Sequence, residues 1–325
     1  MKITHYGINK RSQSRKLENL LIERNSFNDS KLDQIMSSEK LGSSISALLF
    51  EKQNKKLLVL FDIDDGSGGT PADCKIVWST YNEILMKYRP HDMIVLKAQV
   101  NRNPEFNQFY PFKSDVFPIG IFSNNPEKVF ELSKTYSPVQ QDIDVFFSGG
   151  YNHKRHMTPY CWPKNRDIKK HWSGASVRGY EKLKEIKEKR PDIKFALFDN
   201  NLEEKDFYTM IRRSKICIDL PGVGLSSRKF YEYMVFGKCV LSLKQQYTPW
   251  DCEENIQYCS MGEDFEFESM EEKIDFLLKN NQFLLSIENN VKSINEQLTL
   301  DYMVKRIEKI IEEKISSIID QVIIL

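Results

Sequence analysis

The feature that most constrains the fold is a regular alternation of apolar strands and amphipathic helices between residues 144 and 243. The hydrophobic pattern predicts strands at Asp144–Phe147, Lys194–Phe198, Ile216–Leu220 and Cys239–Leu243. It predicts helices between them at Val177–Lys189, Glu203–Ser214 and Ser227–Phe236. Because parallel strands need a crossover connection and a single helix supplies one, this part is predicted to be α/β, a doubly wound parallel sheet with helices on both faces.

The first part of the chain has a less regular pattern, and a length of 325 residues suits two domains rather than one. Its apolar runs predict strands at Lys2–Ile8, Ser46–Phe50, Lys56–Phe61 and Met93–Ala98, and helices at Arg15–Arg24 and Ile76–Tyr88. We place the boundary near residue 140, so the predicted domains are 1–140 and 141–325.

The last part of the chain is predicted to be helical. Ser269 and Glu272 have capping-box spacing, which predicts the start of one helix. From Leu300 to Val322, apolar residues recur three and four positions apart with Lys and Glu between them, which predicts a long amphipathic helix. We expect the terminal helices, about 282–322, to pack back across the protein's own domains. Peripheral membrane binding or self-association through the last helix is the alternative.

The composition excludes several classes of protein. A formal net charge of +1 leaves no global excess that would by itself indicate nucleic acid or an anionic membrane. No apolar run has the length of a transmembrane helix, and the amino terminus lacks the apolar region of a secretory signal. The six cysteines include no C-x-x-C pair, so neither a zinc site nor a disulfide framework is indicated. We expect a cytoplasmic protein, peripheral to a membrane if the last helix binds one.

The most informative segment for function runs from Lys215 to Leu243. After the predicted strand, the turn Pro221–Gly224 carries little side-chain bulk, and Ser226 or Ser227 is placed to cap the next helix. Free backbone N–H groups and the positive end of the helix dipole attract an anion at such a helix start, and Arg228 adds a planar cation. This arrangement suits a diphosphate.

Glu232 lies one helical turn after Arg228. The two side chains share a helix face, where the Glu232 carboxylate could accept hydrogen bonds from the hydroxyls of a ribose. The alternative is an ordinary capped helix whose surface carries an Arg–Glu pair.

The same segment resembles the donor-binding element of GT-B glycosyltransferases, and it is most similar to the exostosin-type and CAP10-type sugar transferases. Their pattern, Gly-x-Gly-x-Ser-x-Arg, matches Gly222, Gly224, Ser226 and Arg228, and the resemblance covers roughly residues 144–243. It implies a GT-B-like fold, in which two Rossmann-like domains face each other across a cleft. It also implies that Ser226 and Arg228, with Ser227 between them, contact the diphosphate of a nucleotide-sugar.

The resemblance also bears on the stereochemistry. Retaining GT-B enzymes often carry a glutamate eight positions before the helix glutamate, and Gly224 occupies that position here. An inverting transfer is therefore expected.

A second segment, after the predicted strand at Asp144–Phe147, contains Gly149 and Gly150. In the related families a glycine-containing loop at this place approaches the donor phosphates from the other side. The following residues, 153–171, are strongly basic and aromatic. They suit a lid over the phosphates, in which Arg155 would bind the donor, a platform for an anionic or carbohydrate acceptor, a surface for single-stranded nucleic acid, or a solvated loop.

The first half carries one polar cluster, FDIDDGSGGT at 61–70, directly after a predicted strand. In an inverting transfer a carboxylate takes the proton of the acceptor hydroxyl, and Asp64 or Asp65 is the candidate base. The alternatives are a polar turn stabilised by Asx hydrogen bonds, or a D-x-D motif at Asp62–Asp64 that holds Mg²⁺ in a phosphohydrolase or a GT-A-like enzyme.

Together these patterns predict a glycosyltransferase of glycan biosynthesis, a hexosyl- or pentosyltransferase. It would move a sugar from a nucleotide-diphospho-sugar to a glycan or other hydroxyl acceptor without a metal or another cofactor. The predicted site consists of the base candidates Asp64 and Asp65 and the donor-binding residues Gly149, Gly150, Arg155, Ser226, Ser227, Arg228 and Glu232. A Mg²⁺-dependent enzyme built on Asp62–Asp65 and a non-catalytic module that binds anions or nucleic acid through 153–171 are the alternatives.

Overall fold

The computed structural model describes the protein at residues 2–6, 20–21, 45–52, 55–62, 92–97, 115–119, 125–135, 139–149, 175–221, 227–244, 250, 252–263 and 265–321. By its internal contacts the chain divides into two compact units. The first unit comprises Met1–Gly120 and Leu300–Leu325, and the second comprises Ile121–Thr299. The predicted domain boundary near residue 140 stays a prediction, whereas the division by contacts falls earlier and places the last helix with the first unit.

The first unit contains the strands β1 (Lys2–Tyr6), β2 (Ile45–Lys52), β3 (Lys55–Asp62), β4 (Asp92–Lys97) and β5 (Asp115–Pro118). The second contains the strands β6 (Ile143–Ser148), β7 (Phe195–Phe198), β8 (Ser214–Asp219), β9 (Cys239–Ser242) and β10 (Cys259–Ser260). Its helices are α1 (Pro126–Thr135), α2 (Ala175–Lys189), α3 (Glu204–Arg213), α4 (Arg228–Val235), α5 (Met270–Lys279) and α6 (Asn281–Ser293), followed by a 3₁₀ turn at Asn295–Leu298. The last helix, α7 (Leu300–Gln321), belongs to the first unit.

The first unit is built on a five-stranded sheet in the order β1-β2-β3-β4-β5. The strands β1, β2 and β3 pair antiparallel, while β3, β4 and β5 pair parallel. Every side chain from Leu57 to Phe61 is fully buried, so both faces of β3 are covered. A strand buried on both faces is typical of the middle of an α/β sheet. The helix predicted at Ile76–Tyr88 lies outside the described residues.

Helix α7 packs on β3 of the same unit, and Lys314 Nζ lies 3.0 Å from Asp92 Oδ2. Its apolar stripe is buried, at Leu300, Met303, Val304, Ile307, Ile311, Ile315 and Ile318. The helix therefore packs within the first unit, and packing of the terminal helices back across both domains stays a prediction. Membrane binding and self-association through α7 stay predictions. No helix in the described parts of the chain is long and apolar enough to cross a membrane.

The second unit is built on a fully parallel sheet in the order β10-β9-β8-β6-β7. Its four predicted strands and three predicted helices are present, each end within two residues of its predicted bound. Counted along the chain, the order is 2-1-3-4-5, a doubly wound arrangement whose winding reverses between the first and third strands, β6 and β8. Connections leave the carboxyl ends of β6 and β8 in opposite directions, which opens a crevice there.

The sequence mispredicted one helix cap. Helix α5 begins at Met270, as expected, but Ser269 already has helical backbone angles, φ −79° and ψ −3°, and its side chain makes no capping hydrogen bond. The Ser269 hydroxyl instead donates to the Met261 carbonyl oxygen at 2.7 Å. A capping hydroxyl needs an extended backbone at its own residue, which Ser269 lacks.

Candidate functional site

The candidate site begins at the amino end of α4. Ser227 has an extended backbone, φ −122° and ψ 163°, and its Oγ accepts hydrogen bonds from the backbone N–H groups of Lys229 at 3.1 Å and Phe230 at 3.3 Å. This confirms the predicted helix start and identifies Ser227 as its cap. The helix amino terminus therefore opens at the carboxyl edge of the sheet, one short connection after β8.

The Ser227 hydroxyl has a second partner inside the protein, because its proton is donated to Asp219 Oδ1. Asp219 is the last residue of β8 and is 1% exposed. Its other oxygen, Oδ2, accepts from the Ser242 hydroxyl at 3.2 Å. Burial raises the pKa of the Asp219 carboxyl to about 7, against the opposing effects of the Ser227 hydrogen bond and the Lys229 charge. The Ser227 hydroxyl thus has a partner within the protein, and its contact with a diphosphate stays a prediction.

Lys229 crosses from α4 to the end of β6. Its ammonium donates a hydrogen bond to the Ser148 carbonyl oxygen and lies 5.6 Å from the centre of the Phe147 ring. Burial lowers the pKa of Lys229 to about 8, although the nearby carboxylate of Asp219 opposes this shift. A cation therefore joins β6 and α4 at the point where the winding of the sheet reverses.

Arg228 and Glu232 share one face of α4, as predicted. Arg228 Nε lies 3.6 Å from Glu232 Oε1. The arginine side chain keeps 46% of its surface exposed, whereas the glutamate side chain keeps 4%. The guanidinium can therefore turn towards a ligand from solvent, while the carboxylate is fixed in the wall of the site. The Arg228–Glu232 pair, which was the alternative to a ligand-binding role, is therefore present. It leaves the Arg228 side chain accessible to a ligand.

A pocket of about 170 Å³ opens beside these side chains. It is lined by Asn125, Lys128, Val129, Ser148, Asn201, Leu202, Glu204, Phe207, Tyr208, Arg228, Lys229 and Glu232. The lining comes from α1, the end of β6, the connection after β7, α3 and the first turns of α4. Cations, carboxylates and aromatic rings thus meet in one place. Such a mixture suits a ligand that combines negative charge, hydroxyl groups and a flat apolar face.

Gly149 lies buried directly after β6. A Cβ atom built at this position would come within 2.7 Å of Phe147 Cζ and 3.3 Å of Lys229 Nζ. A larger residue at this position would therefore have to displace the Phe147 ring, with Lys229 also in tight contact. The predicted site residues Asp64, Asp65, Gly150, Arg155 and Ser226 lie outside the described residues, and their roles stay predictions.

Three polar groups of the site were not among the residues predicted from the sequence, namely Asp219, Lys229 and Ser242. One signal was available, since Asp219 is the single charged residue in the apolar run ICIDL. A carboxylate at the buried end of a parallel strand needs a partner, and the serines downstream supply it. Among the described residues, no group of three or more His, Cys, Asp or Glu side chains could hold a metal ion.

No protein-family model and no curated protein sequence matches the chain. Among solved structures it is similar to HepE from Anabaena in complex with UDP, with 14% identity over 68% of this chain and 64% of that one and a TM-score of 0.40. Sucrose-phosphate synthase from Thermosynechococcus elongatus gives 10% identity, coverage of 69% and 59%, and a TM-score of 0.41. A protein described as a UDP-N-acetylglucosamine 2-epimerase from Listeria monocytogenes gives 13% identity, 96% coverage of both chains and a TM-score of 0.41.

The match spans less than two thirds of the HepE and sucrose-phosphate synthase chains, at 64% and 59%.

Proposed function

We propose that this chain is a GT-B glycosyltransferase whose second unit binds a nucleotide-diphospho-sugar. The observation that carries the proposal is the pocket at the reversal point of the parallel sheet, where Arg228, Lys229 and Glu232 line one space beside the amino end of α4. In open parallel sheets, ligands bind at the carboxyl ends of the strands at such a reversal.

The charges of the pocket favour a nucleoside diphosphate over a simple anion. Arg228, Lys229 and the positive end of the α4 dipole attract the two phosphates. Glu232, only 4% exposed, would repel a bare phosphate but can accept hydrogen bonds from ribose hydroxyls. A ligand that presents both phosphates and hydroxyls satisfies both halves of the site. The rings of Phe207 and Tyr208 add an apolar wall.

The proposed reaction transfers the sugar to a glycan or another hydroxyl acceptor with inversion at the anomeric carbon. The acceptor oxygen attacks C1, Asp64 or Asp65 takes the hydroxyl proton, and the C1–O bond to the nucleoside diphosphate breaks. The negative charge that develops on the diphosphate is stabilised by Arg228, Lys229 and the amino end of α4. These groups supply the electrostatic stabilisation, so the proposed reaction needs neither a metal ion nor another cofactor. The facing of two Rossmann-like domains across a cleft is part of the proposal.

The first experiment is a thermal-shift screen of UDP, GDP, CDP and ADP with their sugar forms. A ligand at 100 times its Kd stabilises the folded protein by about 2.7 kcal/mol. With the ligand that binds, Arg228→Ala should weaken affinity about tenfold to a hundredfold, the range for a charge-assisted contact. Lys309→Ala is the matched control, because it removes one positive charge from an exposed position of α7. Equal affinity in folded Arg228→Ala and wild-type protein would refute the proposed donor site.

A further inference from the structure

The ammonium of Lys229 occupies an unusual position in the candidate site. It lines the pocket, yet its hydrogen bond goes to the Ser148 carbonyl oxygen at the end of β6. Within the described part of the chain this is the only hydrogen bond recorded for Lys229 Nζ, and an ammonium has three N–H donors. The ammonium therefore keeps two donors for a ligand in the pocket that it lines.

A neutral carbonyl is a weaker partner for an ammonium than a phosphate oxygen, because charge-assisted hydrogen bonds between two ions are the stronger kind. The Arg228 side chain, by contrast, is in contact with water in the free protein, with 46% of its surface exposed. The two cations of α4 therefore have different starting states. Arg228 is largely hydrated, whereas Lys229 is partly buried and has less hydration to lose when an anion enters the pocket.

The surroundings of Lys229 determine its response to pH. The charged groups that surround it or share its pocket are Asp219 on β8, Arg228 and Glu232 on its own helix, Lys128 on α1 and Glu204 on α3. Lys128 and Glu204 form an exposed ion pair with each other. Asp219 is the buried carboxylate among them that is held by two serine hydroxyls. Burial lowers the pKa of Lys229 to about 8, so a neutral fraction exists just above neutral pH.

We propose that the ammonium of Lys229 is a second cation of the anion site that changes its hydrogen-bond partner on binding. It donates to the Ser148 carbonyl oxygen in the free protein and to a phosphate oxygen when a diphosphate binds. This inference deepens the proposed donor site and rests on it for the identity of the diphosphate. The ammonium exchanges one acceptor for another, and no covalent bond changes. The amine must be protonated to bind the phosphate, so binding takes up a proton at pH values above about 8.

The test uses Lys229→Met in the full chain. Methionine keeps most of the unbranched stem and removes a buried charge, so the variant should fold with a Tm at or above that of the wild-type protein. The matched control is Lys215→Met. Lys215 is the second residue of β8, far along the strand from Asp219, and it pairs with Asp144 at 2.7 Å outside the pocket. Two kinds of probe are titrated by calorimetry: inorganic pyrophosphate, and the four nucleoside diphosphates UDP, GDP, CDP and ADP.

We expect Lys229→Met to weaken pyrophosphate binding about tenfold to a hundredfold and Lys215→Met to leave it unchanged. Wild-type affinity should fall between pH 7 and pH 9, and this fall should be smaller in Lys229→Met, in which Asp219 still titrates near the site. A purely structural lysine would not change the pH profile. Equal pyrophosphate affinity and equal pH profiles in wild type and Lys229→Met would overturn the inference.

The nucleotide arm separates this inference from the proposed function. Pyrophosphate binding that depends on Lys229, with none of the four nucleotides bound, would support the anion site and refute the nucleotide-sugar donor. Binding of neither probe to the wild-type protein would refute both.

Discussion

The buried carboxylate of Asp219 should make the stability of the protein depend on pH, and Asp219→Asn should remove that dependence. Burial raises the pKa of Asp219 from 3.8 to about 7. Between these two pH values the Asp219 carboxyl is ionised in the unfolded chain but protonated in the folded protein. The stability that Asp219 contributes at low pH is therefore lost as the pH rises through about 7. This rise in the pKa corresponds to a change in the free energy of unfolding on the order of 4 kcal/mol.

The assay is urea unfolding at intervals between pH 4.5 and pH 8, followed by tryptophan fluorescence. The free energy of unfolding of the wild-type protein should fall across this range relative to that of Asp219→Asn, whose amide can keep hydrogen bonds to the Ser227 and Ser242 hydroxyls. Asp142→Asn is the control. The hydrogen bond from Arg213 lowers the pKa of this exposed carboxyl, so it stays ionised throughout the range. Parallel pH curves for wild type and Asp219→Asn would show that Asp219 is charged in the folded protein, contrary to the argument.

Three further outcomes are expected. Replacing the true base among Asp64 and Asp65 by Asn should lower turnover about 10²- to 10⁴-fold with donor affinity unchanged, whereas full activity in both single variants would place the base elsewhere. Sugar transfer, or slow donor hydrolysis, should persist in excess EDTA; strict dependence on Mg²⁺ or Mn²⁺ would favour a centre at Asp62–Asp65. Glu232→Gln should weaken binding of ribose-containing ligands and should not weaken binding of pyrophosphate, because it removes a carboxylate that repels the anion; weaker pyrophosphate binding in calorimetry would contradict this role.

The elements of the second unit could be predicted from the sequence because their determinants are local. The apolar run ICIDL is short enough for a strand, and a three- and four-residue periodicity marks the helix between Ala175 and Lys189. The order of the strands could not be predicted, since β6 pairs with both β7 and β8 through contacts distant in sequence. The antiparallel pairing of β1, β2 and β3 was missed for the same reason.

Part of the site could be predicted from the sequence. The residues that could not be predicted are those whose role depends on burial and on partners distant in sequence. The cap at Ser227 and the shared face of Arg228 and Glu232 depend on helix geometry alone, so spacing was enough. The contact of Lys229 with Ser148 joins residues 81 positions apart, and only the folded sheet brings them together. The burial of Asp219 could not be predicted, because a single polar residue at the end of a strand can be exposed or buried and the packing around it decides which.

Helix α7 makes the first unit discontinuous in sequence. Its two stretches of chain are therefore synthesised at different times. The strands of that unit come from the first 120 residues, but the helix that covers β3 begins at Leu300, after the whole second unit. On the ribosome the second unit can therefore complete its contacts while β3 still lacks this cover. Nascent chains that expose apolar strands aggregate readily and recruit chaperones. The first unit, whose strands are translated before the second unit, should thus be the later of the two to reach its native structure.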